Sequence, residues 1–428
     1  MKSMKKIVAL LLAVLLVAGI FAGCSKKDEA KSEDALKIGV ILVGDETEGY
    51  TLAHMNGIKE AAKELGIADD SIVWKYKIEE KEVCYTSAKE LVAEGCNLII
   101  SNSYGHQDFM KQAAEEFADK GVNFVAMTGD FAAISGLNNM FNAFTRVYES
   151  RYVSGVVAGM KIAELVKDNK LTKDNYDKDG NVKIGYVGAY PYAEVVSGYT
   201  AFYLGIKSVF PKVSMQVQYT REWFHIEKEA AAAELLMANG CVIIGQHADS
   251  TGAPAAIEKA KANGKVVYSV GYNIDMLEAA PTAALTSSTN NWAAYYKELF
   301  EAAQKNDVAS VKDWAKGYDD NAVAITKLGP EVAEGTDAKV KEVEDAIKSG
   351  KLKVFDTSTF TVGGKNVTTS EFDFSYIDFQ KNEVIYQGEK KECIVKDGDI
   401  SYFAESDFRS APYFTLRIDG ITELNPNE

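Results

Sequence analysis

Three short blocks of this chain recur in the same order at nearly constant separation. Lys37-Ile38-Gly39-Val40 returns as Lys183-Ile184-Gly185-Tyr186, 146 residues on. Gly95-Cys96-Asn97-Leu98-Ile99-Ile100 returns as Gly240-Cys241-Val242-Ile243-Ile244, 145 residues on, and Gly121-Val122-Asn123-Phe124-Val125 as Gly264-Lys265-Val266-Val267-Tyr268, 143 residues on. One match could be chance, but three in order at one spacing predict two structurally similar halves. In the first half, apolar runs at 37–43, 72–78, 97–101 and 122–127 alternate with stretches of helical period, such as Leu52, Met55, Ile58, Ala62 and Leu65. The second half repeats this with runs at 183–187, 213–219, 241–244 and 266–270. Strand and helix in alternation imply βαβ units and a parallel sheet.

The predicted fold is therefore α/β, with two doubly wound parallel-sheet lobes at 37–146 and 147–283. Residues 284–354 are expected to return to lobe 1, and repeated crossings between lobes make a hinge. The tail at 355–428 changes character: Thr, Phe, Tyr and Val alternate, and Gly363-Gly364 and Asp397-Gly398 signal turns. It reads as a β-rich extension of antiparallel hairpins.

Ahead of the repeat, Lys2, Lys5 and Lys6 precede an apolar run from Ile7 to Gly23 that ends at Cys24. The run is short for a bilayer span and has the layout of a secretory signal peptide, so 1–23 is expected to be removed. Phe21-Ala22-Gly23-Cys24 resembles a bacterial lipobox. Cys24 would then carry the lipid, and 24–36, polar and charged, would be the tether. The expected location is the outer face of a cell membrane, held by lipid alone.

A formal charge of -15 argues against nucleic acid as a partner, which would need a basic face. Cys84, Cys96, Cys241 and Cys393 form no CxxC and have no histidine at metal spacing, so no metal is expected. Phosphate-loop, dinucleotide, nucleophile-elbow and HExxH motifs are all missing, so neither catalysis nor a cofactor is expected.

In open α/β sheets the ligand lies at the carboxyl ends of the strands. The loops there hold Glu48-Gly49-Tyr50, Ser103-Tyr104, Tyr192-Ala193-Glu194, Glu222-Trp223, His247-Ala248-Asp249 and Asn273-Ile274-Asp275. Rings and carboxylates from both halves suit a flat heteroaromatic ligand, stacked between rings while a carboxylate accepts its N–H groups. Asp249 is equally suited to cap the helix that follows it.

Gly49-Tyr50-Thr51 with His54, Ser103-Tyr104-Gly105, and Tyr148 through Gly155 are similar to motifs of the basic membrane protein family of solute-binding lipoproteins. So are Glu222-Trp223-Phe224, Gln246 through Ser250, and Trp292 with Tyr295-Tyr296. The resemblance covers roughly 37–355. It implies a type I periplasmic-binding-protein fold, a purine ligand, and an ABC permease and ATPase as partners. It would make Tyr50 and Trp223 stacking walls and Asp249 the acceptor, with Tyr104, Glu194 and Asp275 as further contacts. The family's nucleoside binders carry Asp and Lys for the ribose where this chain has Asn273 and Asn290. That difference favours a free base of adenine type over a nucleoside. A nucleoside binder and a ligand-sensing surface lipoprotein uncoupled from transport remain the alternatives.

Overall fold

The computed structural model describes residues 35–378 and 383–427. The expected signal segment, the expected lipid site at Cys24 and the tether as far as residue 34 lie outside them.

The first sheet holds β1 (Ile38–Ile41), β2 (Ile72–Lys75), β3 (Leu98–Ser101), β4 (Asn123–Met127) and β5 (Met140–Thr145). Helices α1 (Gly49–Glu64), α2 (Glu82–Ala93) and α3 (Gln107–Glu116) connect its first four strands. β1 and β3 read as unbroken apolar runs because helices cover both faces of the sheet and every residue of these strands is buried. α1 buries His54, Met55, Ile58, Ala61 and Ala62, the spacing of one helix face.

After α4 (Val147–Lys167) the plan repeats with β6 (Val182–Gly188), β7 (Val213–Tyr219), β8 (Ile243–Gln246), β9 (Tyr268–Tyr272) and β10 (Ala284–Asn290). The connecting helices are α5 (Ala193–Val209), α6 (Ile226–Ala238) and α7 (Gly252–Ala262). Strand order is β2-β1-β3-β4-β5 in one sheet and β7-β6-β8-β9-β10 in the other, and every pairing within these two sets is parallel. The recurrence in sequence is thus a recurrence of topology.

One boundary needs correcting. The second lobe runs past residue 283, because β10 pairs with β9 and carries Leu285, Thr286 and Ser287 into the buried sheet. The chain then goes back: α8 (Trp292–Gln304) packs on α1, and β11 (Asp313–Lys316) extends the first sheet beside β5. β12 (Val323–Ile325) returns to the second sheet, antiparallel to β10, and α9 (Thr336–Lys348) lies on α4. The backbone passes between lobes near Arg146, Asn291 and Gly317, which makes a hinge of three strands.

Among the described residues the extension forms four antiparallel strand pairs, and its two expected turns fall at hairpins whose glycines have left-handed φ. A further strand, Ile421–Glu423, adds in parallel to the edge at β7, a pairing the hairpin pattern did not announce. Phe355, Phe360, Phe403, Tyr413 and Phe414 sink into the same core as α4 and α5, so the extension is rooted on the second lobe. It also reaches the first lobe, where Tyr376 donates to Asp108 at 2.7 Å and packs on Phe131.

Candidate functional site

Strand order reverses between β1 and β3 and again between β6 and β8, so the loops beyond those strands splay apart and leave a crevice. The two crevices face each other across a cavity of about 540 Å³, counted with its open mouth. That size suits a small-molecule site. The first lobe lines it with Glu48, Tyr50, Glu80, Ser103, Tyr104 and Thr128, and the second with Glu194, Trp223, Asp249 and Tyr272. The lobes also approach through backbone: a Cβ added to Gly49 would stand 3.3 Å from the carbonyl oxygen of Asp249. Glycine at the start of α1 permits this closeness.

Tyr50 sits on the first turn of α1, edge-on to His54, whose ring stacks on Trp292 at 4.4 Å. His54 Nδ1 meets the Tyr296 hydroxyl at 2.6 Å, and burial lowers its pKa to about 3, so the imidazole is a neutral post. This explains why His54, Trp292 and Tyr296 accompany Tyr50. They hold α8 on α1 and fix the ring. The Tyr50 hydroxyl is buried beside Thr128. Trp223 lies in the loop after β7, flanked by Tyr190 and Tyr192, which stack on each other at 5.0 Å.

Asp249 does not cap α7, whose N-cap is Thr251. Its Oδ1 accepts from Asn273 Nδ2 at 2.7 Å. Asn273 Oδ1 accepts from Asn290 Nδ2 at 3.1 Å, and Asn290 Oδ1 accepts from the Thr145 hydroxyl. Burial, reinforced by the nearby carboxylates of Glu48, Glu229 and Glu194, pushes the Asp249 carboxyl well above the ordinary carboxylate range. Burial also raises Glu48, and it lifts Glu194 to about 7 against the pull of Arg151. Glu194 contacts His247 Nε2 at 3.1 Å; burial and Arg151 keep that imidazole neutral. Arg151 is buried behind the wall, 3.8 Å from the centre of the Tyr272 ring, and donates to the carbonyl of Gln246.

Among the described residues, the cavity wall thus carries Glu48, Glu80, Glu194 and Asp249 and no lysine or arginine. Such a wall accepts hydrogen bonds from a ligand rich in N–H groups. Thr128 closes one side with φ of 61°, a left-handed conformation that costs a β-branched residue energy and is characteristic of ligand clamps.

Of the six residues expected here, Tyr50, Tyr104, Glu194, Trp223 and Asp249 line the cavity. Asp275 does not: it is exposed and accepts the amide of Leu277 at 2.8 Å in a local turn. His225 caps α6, its side chain accepting from the amide of Lys228. Sequence reasoning missed Glu48, Glu80, Thr128 and Tyr272. Glu48 was signalled by its place two residues before Tyr50; Glu80 sits in a polar stretch that read as solvated surface.

The sequence matches the Bmp family, ABC transporter substrate-binding proteins described as PnrA-like, over residues 35–358. A purine-binding protein of Brucella abortus is 32% identical over 80% of this chain and 89% of its own length. A putative ABC transporter glucose-binding protein of Haloferax volcanii is 29% identical over 63% of this chain and 62% of that one. Among solved structures, an ABC transporter solute-binding protein of Aeropyrum pernix superposes with a TM-score of 0.60 at 15% identity, covering 75% of this chain and 93% of that one. From the match over most of its length, together with a two-lobed fold closing on one cavity, the chain belongs to the Bmp family of ABC transporter substrate-binding proteins.

Proposed function

We propose that the cavity binds a purine ring, with a free base of adenine type as its minimal ligand, and that the protein delivers this ligand to an ABC permease from the outer face of a membrane. The supporting observation is that Tyr50 and Trp223, from different lobes, line one cavity together with the carboxyl groups of Glu48, Glu80, Glu194 and Asp249. Rings supply apolar area and stacking, and the carboxylates accept the ring and exocyclic N–H groups. Asp249 is the principal acceptor. The name of the Brucella abortus relative points the same way. In this reading, Cys24 carries the lipid that holds the chain at the membrane.

Ligand bridging the two walls favours the closed lobes, because only that arrangement satisfies both sides at once. The permease then reads the closed form. Asn273 and Asn290, which stand where nucleoside binders use an acid and a base, are engaged in the chain from Asp249 to Thr145 rather than reaching outward.

Calorimetric titration of the ligand-stripped protein with adenine, guanine, hypoxanthine, adenosine and guanosine tests the reading. Tight binding of adenine is the expected result. Silence with all five purines overturns it.

A further inference from the structure

The C-terminal extension is tied to both lobes. Its root is in the second, where Phe355 stacks on Phe414 at 4.4 Å within the core shared with α4 and α5. There Tyr148 donates to the Glu405 carbonyl at 3.1 Å, and Lys207 to the Thr359 carbonyl at 2.9 Å. Its foot is the hairpin of Tyr376–Asp378 and Glu383–Tyr386. Phe374 is buried in the second lobe's core, and Tyr376, two residues on, in the first lobe's. The chain passes from one core to the other almost in a single step. The family match ends at residue 358, so the foot lies wholly beyond it.

Contacts with the first lobe fall into two groups. In one, Ser410 Oγ accepts from Asn142 Nδ2 at 3.0 Å, and the Ser410 amide donates to Asp313 Oδ1 at 3.2 Å. Asn142 and Asp313 sit on β5 and β11, which lead into the passages at Arg146 and Gly317, so rotation of the lobes moves these bonds little. The other group is further from the hinge. Tyr376 donates to Asp108 on α3 at 2.7 Å and packs on Phe131 with ring centres 4.7 Å apart, while Tyr386 covers the same ring at 5.7 Å. Arg409 Nη1 lies 3.3 Å from Asp130 Oδ2, and the two side chains are only 14% and 10% exposed.

This second group cannot follow the first lobe while its root stays with the second. Opening the cleft therefore lifts the foot, which wets two rings and parts a largely buried ion pair. A decoration of one lobe would need only the root. The extension also walls a hollow that shares Tyr104, Thr128, Glu194 and Trp223 with the cleft, so it stands beside the space that opening would widen.

We propose that the extension is a strap across the cleft: rooted in the second lobe and seated on the first, it holds the lobes near the arrangement seen here, and ligand exchanges only when the foot lifts from α3 and Phe131. In this arrangement Gly49 and the Asp249 carbonyl already approach across the cleft. A protein held there binds more tightly, because the ligand no longer has to supply the free energy of closing. Exchange is slower for the same reason.

Small-angle scattering on the whole mature protein tests the strap without any ligand. The native ligand-free radius of gyration should match the one calculated from the structure, and a clearly larger radius would overturn the proposal. Tyr376→Ser combined with Tyr386→Ser removes the rings of the foot and leaves the root untouched. The ligand-free radius of this variant should rise, adenine should return it to the native value, and adenine should dissociate severalfold faster in stopped-flow displacement. An unchanged radius with unchanged dissociation would overturn the strap. If the variant does not fold, or its radius stays large with adenine bound because the extension has come apart, the native ligand-free radius decides alone. The kinetic arm rests on the purine reading of the cavity; silence with every purine would remove that reading and leave the strap to the scattering.

Discussion

On the first-lobe wall of the cleft, polar side chains are tied close to home. Glu48 accepts from Thr51 one turn along α1, and Glu80 from Ser103 and the amide of Gly105 within the same lobe. On the second-lobe wall the ties run further. Asp249 is bonded to Asn273, Asn273 to Asn290, and Asn290 to Thr145, which ends β5 of the other sheet. Asn290 and Thr145 each stand beside a passage of the chain between lobes. Two lobes of one topology therefore differ in what their walls are connected to: the first is braced locally, while the second reaches the hinge. In the proposed reading, ligand contact with Asp249 would load a chain of bonds that ends beside a passage between the lobes.

The comparison breaks most directly at Asp249. Leaving a buried ligand N–H without its acceptor costs about 1–3 kcal/mol, so Asp249→Ala should weaken adenine binding roughly ten- to a hundredfold by titration calorimetry. Glu80→Ala, on the locally braced wall, should cost less. Equal losses would mean the longer ties carry no advantage.

The next effect is on stability. Burial raises Glu194 from 4.5 to about 7, so the folded protein holds a proton that the unfolded chain releases. The contribution of a raised carboxyl is fully present below pH 4.5 and is lost as pH rises through about 7. Glu194→Gln keeps the shape but does not titrate. The native protein should lose stability relative to this variant between pH 5 and about 8, by an amount on the order of 1 kcal/mol or more. Buried histidines such as His54 and His247 shift the opposite way, which is why the difference between the two proteins is the useful readout. A constant difference in melting temperature across that range would show that Glu194 is ionised throughout.

Third comes Trp223→Ala, which removes a stacking wall but no charge. About tenfold weaker binding is expected from lost area and stacking. Tyr50→Ala should match it if the ligand lies between the two rings, and a much larger loss at one of them would place the ligand against that wall alone.

Much of this was legible beforehand, for reasons visible in particular residues. The repeat of Lys37 through Val40 at Lys183 marks the strand at which the order of each sheet reverses, with a parallel partner on either side, and strands buried on both faces must be apolar whatever else changes. Tyr50, Trp223 and Asp249 were visible because they follow such strands. Glu80 was not, since a carboxylate in a polar run reads the same whether it faces water or a cleft. Asp275 misled because its place after β9 was right and its local turn was hidden. The extension's place beside the cleft was also hidden: no short-range pattern says that Tyr376 will reach Asp108, 268 residues away.

That reach supplies the smallest effect. Asp108 lies on the first turn of α3, just beyond the loop that carries Ser103 and Tyr104 into the cavity. The first-lobe wall, braced locally from within, is thus also held from outside by a foot of the extension, whose root is in the second lobe. Tyr376→Phe deletes the bond to Asp108 and keeps the ring on Phe131. Loss of one such bond should cost about 1 kcal/mol in denaturant unfolding. Because the ring still holds the foot in place, adenine affinity should change by less than about twofold. A larger drop in affinity would show that the first wall depends on the extension as the second depends on the hinge, and the contrast between the walls would then be one of route rather than of reach.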